Sequence, residues 1–352
     1  MIIDCHGHFT TEPPAFHAHR RAQIAFACGE GPAPEPYEGV DEAELRDIIA
    51  QNQLRLQRER GTDLTIISPR ASGMGHHIPD EDIAISWATL SNDTVARIAA
   101  LYPGNFAAAC QLPQTAGGGL DAAVAELERC ADAGFVACNV NPDPSGGRWD
   151  GPPLTDPSWD PLWSALERLD MPAMIHVSAS DRHGVHTTGA HYLAADTIVF
   201  MQLLGSDLFD RHPALRLVIP HGGGAVPFHW GRYRGIANKL GDPGALDRLM
   251  QHVFFDTCVY HQPGIDLLLE VVDSRNILFG SELLGAVTGD DPDAGGPIDD
   301  TRRYIERSRL TDSERWAVFE GNVRRVYPRL DARLNAQGRV CAPPPTEGEP
   351  HE

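Results

Sequence analysis

The chain begins Met1-Ile2-Ile3-Asp4-Cys5-His6-Gly7-His8, an apolar segment that ends in two histidines. Ile2, Ile3 and Cys5 give the segment the character of a short buried strand. Side chains two residues apart on a strand project from the same face, so His6 and His8 would point at one place. The pattern predicts a strand that carries a pair of candidate metal ligands.

Short apolar segments and amphipathic helices alternate along the rest of the chain, which is typical of a parallel sheet buried on both faces. After the first strand, the predicted strands cover residues 63–69, 106–112, 135–140, 172–177, 215–220, 253–259 and 276–280. Polar residues follow many of these strands, as in barrels, whereas a doubly wound open sheet gathers its site at one switch point. The sequence predicts a (β/α)8 TIM-like barrel over residues 1–330, with the open sheet as the competing architecture.

Two regions are predicted to lie outside the strand and helix pattern. Residues 9–40 hold eight prolines and glycines, and they predict a long loop over the C-terminal end of the first strand. Residues 331–352 are rich in proline and glutamate and predict a C-terminal tail that is either disordered or arm-like.

The composition excludes several classes of partner. Lys and Arg number 29 against 49 Asp and Glu, a net charge of −20, which opposes binding to nucleic acid or to an anionic membrane. No apolar run approaches the ~20 residues of a membrane span, and no signal-peptide pattern is present. Seven cysteines without a Cys-x-x-Cys pair argue against a disulfide framework and a thiolate zinc site. We expect a cytoplasmic protein that acts on a small molecule.

Three more candidate ligands follow predicted strands. His176 ends the fifth strand, His221 follows the sixth and Glu282 follows the eighth. The C-terminal ends of barrel strands meet at one mouth, so these side chains are expected to converge with the first pair. Imidazole and carboxylate ligands suit zinc or a similar first-row ion better than calcium or magnesium. We predict one divalent ion, Zn²⁺ or Mn²⁺, bound by His6, His8, His176 and Glu282, with His221 beside it as an acid or base.

This set resembles the metal motif of the amidohydrolase superfamily, in its branch of metal-dependent decarboxylases and hydratases. The pattern of that branch ends the eighth strand in Gly-Ser-Asp, whereas this chain has Gly280-Ser281-Glu282. The glutamate, the segments 283–287 and 299–304, and the loop 68–77 are similar to the 4-oxalomesaconate hydratases of the protocatechuate 4,5-cleavage pathway. The similarity extends from Met1 to about Leu330.

The resemblance implies hydration of the carbon–carbon double bond of a tricarboxylic 2-keto acid, or its enol, to give 4-carboxy-4-hydroxy-2-oxoadipate. A divalent ion would stabilise the developing enolate. We assign Glu282 as the base for water and His221 as the proton donor, and the sequence does not exclude the reverse assignment. Arg70 is the main candidate for binding a substrate carboxylate. Further candidates are His77, Ser178, Tyr192 and Arg232.

Two other functions stay open. One is a metal-dependent non-oxidative decarboxylase of an aromatic or semialdehyde acid, which an aspartate in place of Glu282 would have favoured. The other is a metal-dependent lactonase. Decarboxylation releases carbon dioxide, lactone hydrolysis releases a proton, and hydration bleaches the absorbance of the conjugated keto acid. Related barrels are often dimers or larger, so we expect a homo-oligomer.

Overall fold

Eight parallel strands follow one another in chain order around a barrel. The structure is a computed structural model that describes residues 1–293 and 295–341. The strands are β1 (Ile3–Phe9), β2 (Leu64–Pro69), β3 (Phe106–Gln111), β4 (Ala137–Val140), β5 (Ala173–Ile175), β6 (Leu217–Ile219), β7 (Val253–Asp256) and β8 (Ile277–Leu278). The Cys5 amide donates to the Phe279 carbonyl at 2.8 Å, which joins the end of β8 to β1. The predicted (β/α)8 barrel is confirmed.

Several strands are shorter than the sequence predicted, and the backbone turns sharply at two of the candidate ligands that follow them. His221 after β6 and Glu282 after β8 have φ values of 53° and 50°. A residue in the left-handed region cannot continue a strand. Strand β8 covers only Ile277–Leu278 where residues 276–280 were predicted.

Helices surround the barrel in the described part of the chain, where none combines the length and apolarity required to cross a membrane. They are α1 (Pro14–Ala27), α2 (Glu42–Gln51), α3 (Gln53–Glu59), α4 (Glu81–Leu101), α5 (Asp121–Asp132), α6 (Asp160–Leu169), α7 (Tyr192–Leu203), α8 (Leu208–Arg211), α9 (Trp230–Lys239), α10 (Ala245–Leu249), α11 (Gln262–Val271), α12 (Arg302–Glu306), α13 (Asp312–Trp316), α14 (Asn322–Val326) and α15 (Pro328–Ala336).

Helix α1 shows that the prediction of a long loop over residues 9–40 was wrong. Pro14 occupies the first turn of the helix, where a proline is tolerated because its missing N–H would have no partner. Phe16, Arg20 and Gln23 are buried on one face of α1. The abundance of proline and glycine on either side of this face concealed its helical spacing.

The last two helices close the N-terminal end of the barrel. Side chains of α14 and α15 pack against the inner layer that the strands contribute, and both Leu330 and Leu334 are fully buried there. Arg329 donates from Nε to the carbonyl of Phe135, which lies two residues before β4. The packed part of the chain thus extends through Leu334, beyond the boundary predicted at Leu330. Residues 342–352 of the predicted tail lie outside the described residues.

Leu330→Ala is expected to lower the free energy of unfolding by about 2–5 kcal/mol, because it leaves a cavity in the inner layer. Equilibrium urea unfolding would measure the change. Leu240→Ala is the matched control, since Leu240 is 58% exposed and its truncation should change stability by less than about 0.5 kcal/mol. Equal unfolding midpoints for the two variants would contradict the proposed role of α15.

Candidate metal centre

Four buried imidazole rings meet at the C-terminal end of the barrel. His6 and His8 come from β1, His176 follows β5, and His221 follows β6. The ring centroids of the first three lie 4.9, 5.3 and 5.2 Å apart, and the ring planes are nearly perpendicular. The His221 ring lies 5.4 Å from His6 and 5.2 Å from His176. The fold therefore brings together the four histidines that were predicted from the sequence as candidates for this site.

The outer nitrogen, Nδ1, of each ring faces an oxygen. The partners are Asp256 Oδ2 for His6 at 2.7 Å, Ser68 Oγ for His8 at 2.7 Å, the Val177 carbonyl for His176 at 2.8 Å, and Asp196 Oδ2 for His221 at 3.0 Å. Carboxylate and carbonyl oxygens only accept, so they place a hydrogen on Nδ1 of their rings. The Ser68 hydroxyl faces the Pro69 carbonyl at 3.1 Å, which leaves its oxygen to accept from His8.

The inner nitrogens, Nε2, lack suitable partners. His6 Nε2 lies 3.0 Å from His8 Nε2, so two lone pairs face each other. Nε2 of His176 and of His221 is buried and has no hydrogen-bond partner among the described residues. Burial lowers the pKa of His8 and of His176 well below the usual value, which favours the neutral form that binds metal. A cation bound among the Nε2 atoms would remove the lone-pair repulsion and would give the buried, unbonded nitrogens a partner. The donor set therefore fits a divalent ion.

Glu282 lies at the edge of the ring cluster and is buried. Its Oε2 is 4.0 Å from His221 Nε2 and accepts a hydrogen bond from the Tyr260 hydroxyl at 2.5 Å. Possible ligand atoms of His6, His176, His221 and Glu282 all lie within 4.8 Å of one another. This group contains His221 where the predicted ligand set contains His8, so five side chains surround the centre.

His221 differs electrostatically from the other rings. Burial alone would lower the pKa of His221, but the nearby carboxylates, Asp196 foremost, raise it to about 9. Burial in turn raises the pKa of Asp196 to about 6, although the charge of His221 opposes this. The pair favours a protonated imidazole.

Sequence analysis missed the residues that orient these groups. Asp256 ends β7 and also accepts at Oδ1 from the amides of Gly222 and Cys258, both at 3.0 Å. Its position at a strand end was a usable signal. Asp196 lies inside α7 and Tyr260 lies in the loop before α11, so no local pattern distinguished them.

A cavity of about 100 Å³ adjoins the centre, and its lining includes His8, Arg70, Tyr192 and Glu282. Arg70 Nη1 lies 3.2 Å from Glu12 Oε2. Burial raises the pKa of Glu12 to about 7, although Arg70 acts in the opposite direction. The Tyr192 ring stacks on His221 at 5.5 Å. Two of the predicted substrate-binding residues, Arg70 and Tyr192, thus lie beside the centre.

The other three predicted residues do not line this cavity. Ser178 is buried two residues after His176, and its hydroxyl oxygen accepts from Asn141 Nδ2 at 3.2 Å. His77 is half-buried, with a buried Nδ1 that has no partner in the described residues. Arg232 is exposed on α9.

Comparison with known proteins assigns the chain to a family, because residues 3–329 match the Amidohydrolase family. The chain belongs to the amidohydrolases. It is 55% identical over 340 residues to the 2-keto-4-carboxy-3-hexenedioate hydratase of Sphingobium sp. strain SYK-6, covering 96% of this chain and 99% of the relative. The crystal structure of 4-oxalomesaconate hydratase from Rhodopseudomonas palustris matches with a TM-score of 0.88 and 49% identity, covering 96% and 99% of the two chains.

More distant relatives are named as decarboxylases. The gamma-resorcylate decarboxylase of Rhizobium radiobacter is 29% identical over 305 residues, which cover 81% of this chain and 88% of the relative. The predicted superfamily is confirmed. Within it, the chain is much more similar to the hydratases than to this decarboxylase.

We expect the purified amidohydrolase to contain one divalent ion per chain by inductively coupled plasma mass spectrometry. His8→Ala and His176→Ala each remove an inward-facing nitrogen and should lower metal affinity by at least about 100-fold. Competition with a chelator would measure the affinity. His183→Ala, at an exposed histidine, should leave it unchanged. Full metal retention by both ligand variants would contradict the assignment.

Proposed function

We propose that this amidohydrolase is a metal-dependent hydro-lyase that adds water to the double bond of 4-oxalomesaconate, as the keto acid or its enol, giving 4-carboxy-4-hydroxy-2-oxoadipate in aromatic acid breakdown. The observation that carries the proposal is Glu282, a carboxylate in the segment after β8 that lies beside four imidazoles. The hydratase named above shares 55% of its residues with this chain over nearly the full length of both, which supports the same reaction.

We further propose that the divalent ion is zinc, with manganese as the alternative, and that His6, His8, His176 and Glu282 bind it. Three neutral imidazoles and a carboxylate match the preferences of these ions. When bound by these residues, such an ion would supply Lewis-acid stabilisation of the negative charge that develops on the substrate during addition.

The protein supplies the proton transfers. Glu282 takes a proton from the attacking water, whose oxygen forms its bond to carbon 4 of the substrate. His221, which Asp196 favours in the protonated form, gives a proton to carbon 3. The double-bond electrons form the new C–H bond through the enolate. Glu282 Oε2 and His221 Nε2 are 4.0 Å apart, so the base and the acid flank one reacting site.

Arg70 is proposed to bind one of the three substrate carboxylates. The chain carries a net charge of −20, so a triply charged acid requires local cations. Arg70 lines the cavity and already pairs with a carboxylate, that of Glu12, which a substrate carboxylate would replace. Tyr192, Ser178 and His77 are proposed as further contacts, and Arg232 stays a prediction.

Purified, metal-loaded enzyme is expected to bleach the ultraviolet absorbance of 4-oxalomesaconate. Glu282→Gln keeps the size of the side chain but removes the base, so kcat should fall by about 10²- to 10⁴-fold. Glu128→Gln is the matched control at an exposed position and should retain wild-type kcat. Near-normal turnover by Glu282→Gln would remove the base assignment. Carbon dioxide release from aromatic acids, or proton release from lactones, without bleaching would indicate a decarboxylase or a lactonase.

Arg70→Met should raise KM for the tricarboxylic acid by about 10- to 100-fold, because a charge-assisted hydrogen bond is worth about 1.5–3 kcal/mol. The change in kcat should be smaller, since this contact binds ground state and transition state alike. Initial rates over a range of substrate concentrations would separate the two constants. Arg168→Met, at an exposed arginine, is the control. An unchanged KM would exclude Arg70 from substrate binding.

A further inference from the structure

Tyr260 makes a short hydrogen bond to the proposed base. Its hydroxyl lies 2.5 Å from Glu282 Oε2, a distance typical of a strong O–H···O⁻ bond. Tyr260 belongs to the loop between β7 and α11 and does not line the cavity beside the centre. Its contact with the reaction therefore runs through Glu282 and not through the substrate.

The backbone is strained at both ends of this hydrogen bond. Tyr260 has a φ of 66° and Glu282 a φ of 50°. Non-glycine residues in this region cost about 1–2 kcal/mol each, and a bulky tyrosine is unusual there. Such strain persists where the surrounding structure enforces it, and it is frequent at functional sites. The two strained residues share one hydrogen bond, which indicates that the surrounding structure enforces the geometry of this contact.

Gly285 restricts Glu282 from the other side. Its amide donates to the Glu282 carbonyl at 2.7 Å. A Cβ atom on Gly285 would lie 2.5 Å from Glu282 Cγ and 2.8 Å from Cδ, so the backbone at Gly285 packs directly against the glutamate side chain. The side chain is thus confined between Gly285 and the Tyr260 hydroxyl, which engages Oε2.

We propose that Tyr260 is a positioning residue that fixes the Glu282 carboxylate in one orientation through its hydrogen bond to Oε2. The inference rests on the proposed role of Glu282 as base. A base held in one rotamer is placed for reaction before the substrate arrives, whereas a misplacement of about 1 Å can cost about 10²-fold in rate.

Tyr260→Phe removes only the hydroxyl and is expected to lower kcat by about 10- to 100-fold. KM and the metal content should stay within about twofold of wild type, because Tyr260 does not line the cavity. In a Glu282→Gln background the same substitution should have no further effect, since Tyr260 acts through the carboxylate. A merely structural role would lower the rate in both backgrounds.

Crystal structures of the metal-loaded proteins give a readout that does not depend on activity. The Glu282 side chain should occupy one orientation in wild type and should rotate or take several orientations in Tyr260→Phe. Tyr304→Phe is the matched control, because its hydroxyl lies 3.2 Å from the Tyr260 carbonyl oxygen and so contacts the same loop without touching Glu282. It should leave kcat within about threefold of wild type.

The outcomes separate this inference from the proposed function. Wild-type kcat in Tyr260→Phe, or an unchanged Glu282 orientation, overturns the positioning role. An equal loss of rate in the Glu282→Gln background overturns it as well and assigns Tyr260 to loop stability. If wild-type enzyme fails to bleach 4-oxalomesaconate, the proposed function fails, while the crystallographic comparison still decides whether Tyr260 orients Glu282.

Discussion

Buried imidazole rings can point their Nε2 atoms at one another only if a hydrogen bond at the opposite nitrogen, Nδ1, fixes each ring. The whole centre depends on this constraint. The 3.0 Å between His6 Nε2 and His8 Nε2 would be repulsive without a cation, and it persists because Nδ1 of each ring is anchored to an oxygen. The anchors come from different parts of the fold, including β7 and α7. Metal binding would therefore depend on the whole barrel mouth, since the anchors of His6, His8 and His221 lie in other segments than the rings that they hold.

Strand β1 connects this constraint to the proposed base. Asp4 accepts at Oδ2 from the Ser281 hydroxyl at 2.5 Å, and the His6 carbonyl accepts from the Glu282 amide at 2.8 Å. Burial raises the pKa of Asp4 to about 6, while its hydrogen bonds to Ser281 and His6 act in the opposite direction. The strand that supplies two proposed ligands thus also fixes the backbone that carries Glu282. A change in β1 would disturb both groups together.

Sequence analysis could predict features that depend on neighbouring residues, but not contacts between segments that are far apart in the chain. Strands, helices and the histidines at strand ends were predictable because apolar periodicity and position relative to a strand are properties of neighbouring residues. Helix α1 was missed because its apolar face is brief and lies between proline-rich segments. Asp196 and Tyr260 could not be found, since their importance arises only where α7 and the β7–α11 loop fold against the centre. Asp256 could have been found by its place at a strand end.

The length of the Glu282 side chain determines whether its carboxylate can reach the Tyr260 hydroxyl. An aspartate at position 282, as in the Gly-Ser-Asp pattern of the superfamily branch, would be shorter by one carbon–carbon bond, about 1.5 Å. From the same backbone it could not reach the Tyr260 hydroxyl, now 2.5 Å from Glu282 Oε2, without a shift of the loop. Addition of water requires a base that is aimed at the water, whereas loss of carbon dioxide requires no activated water. In the proposed mechanism, Glu282 and Tyr260 therefore form the part of this centre whose geometry suits hydration and not decarboxylation.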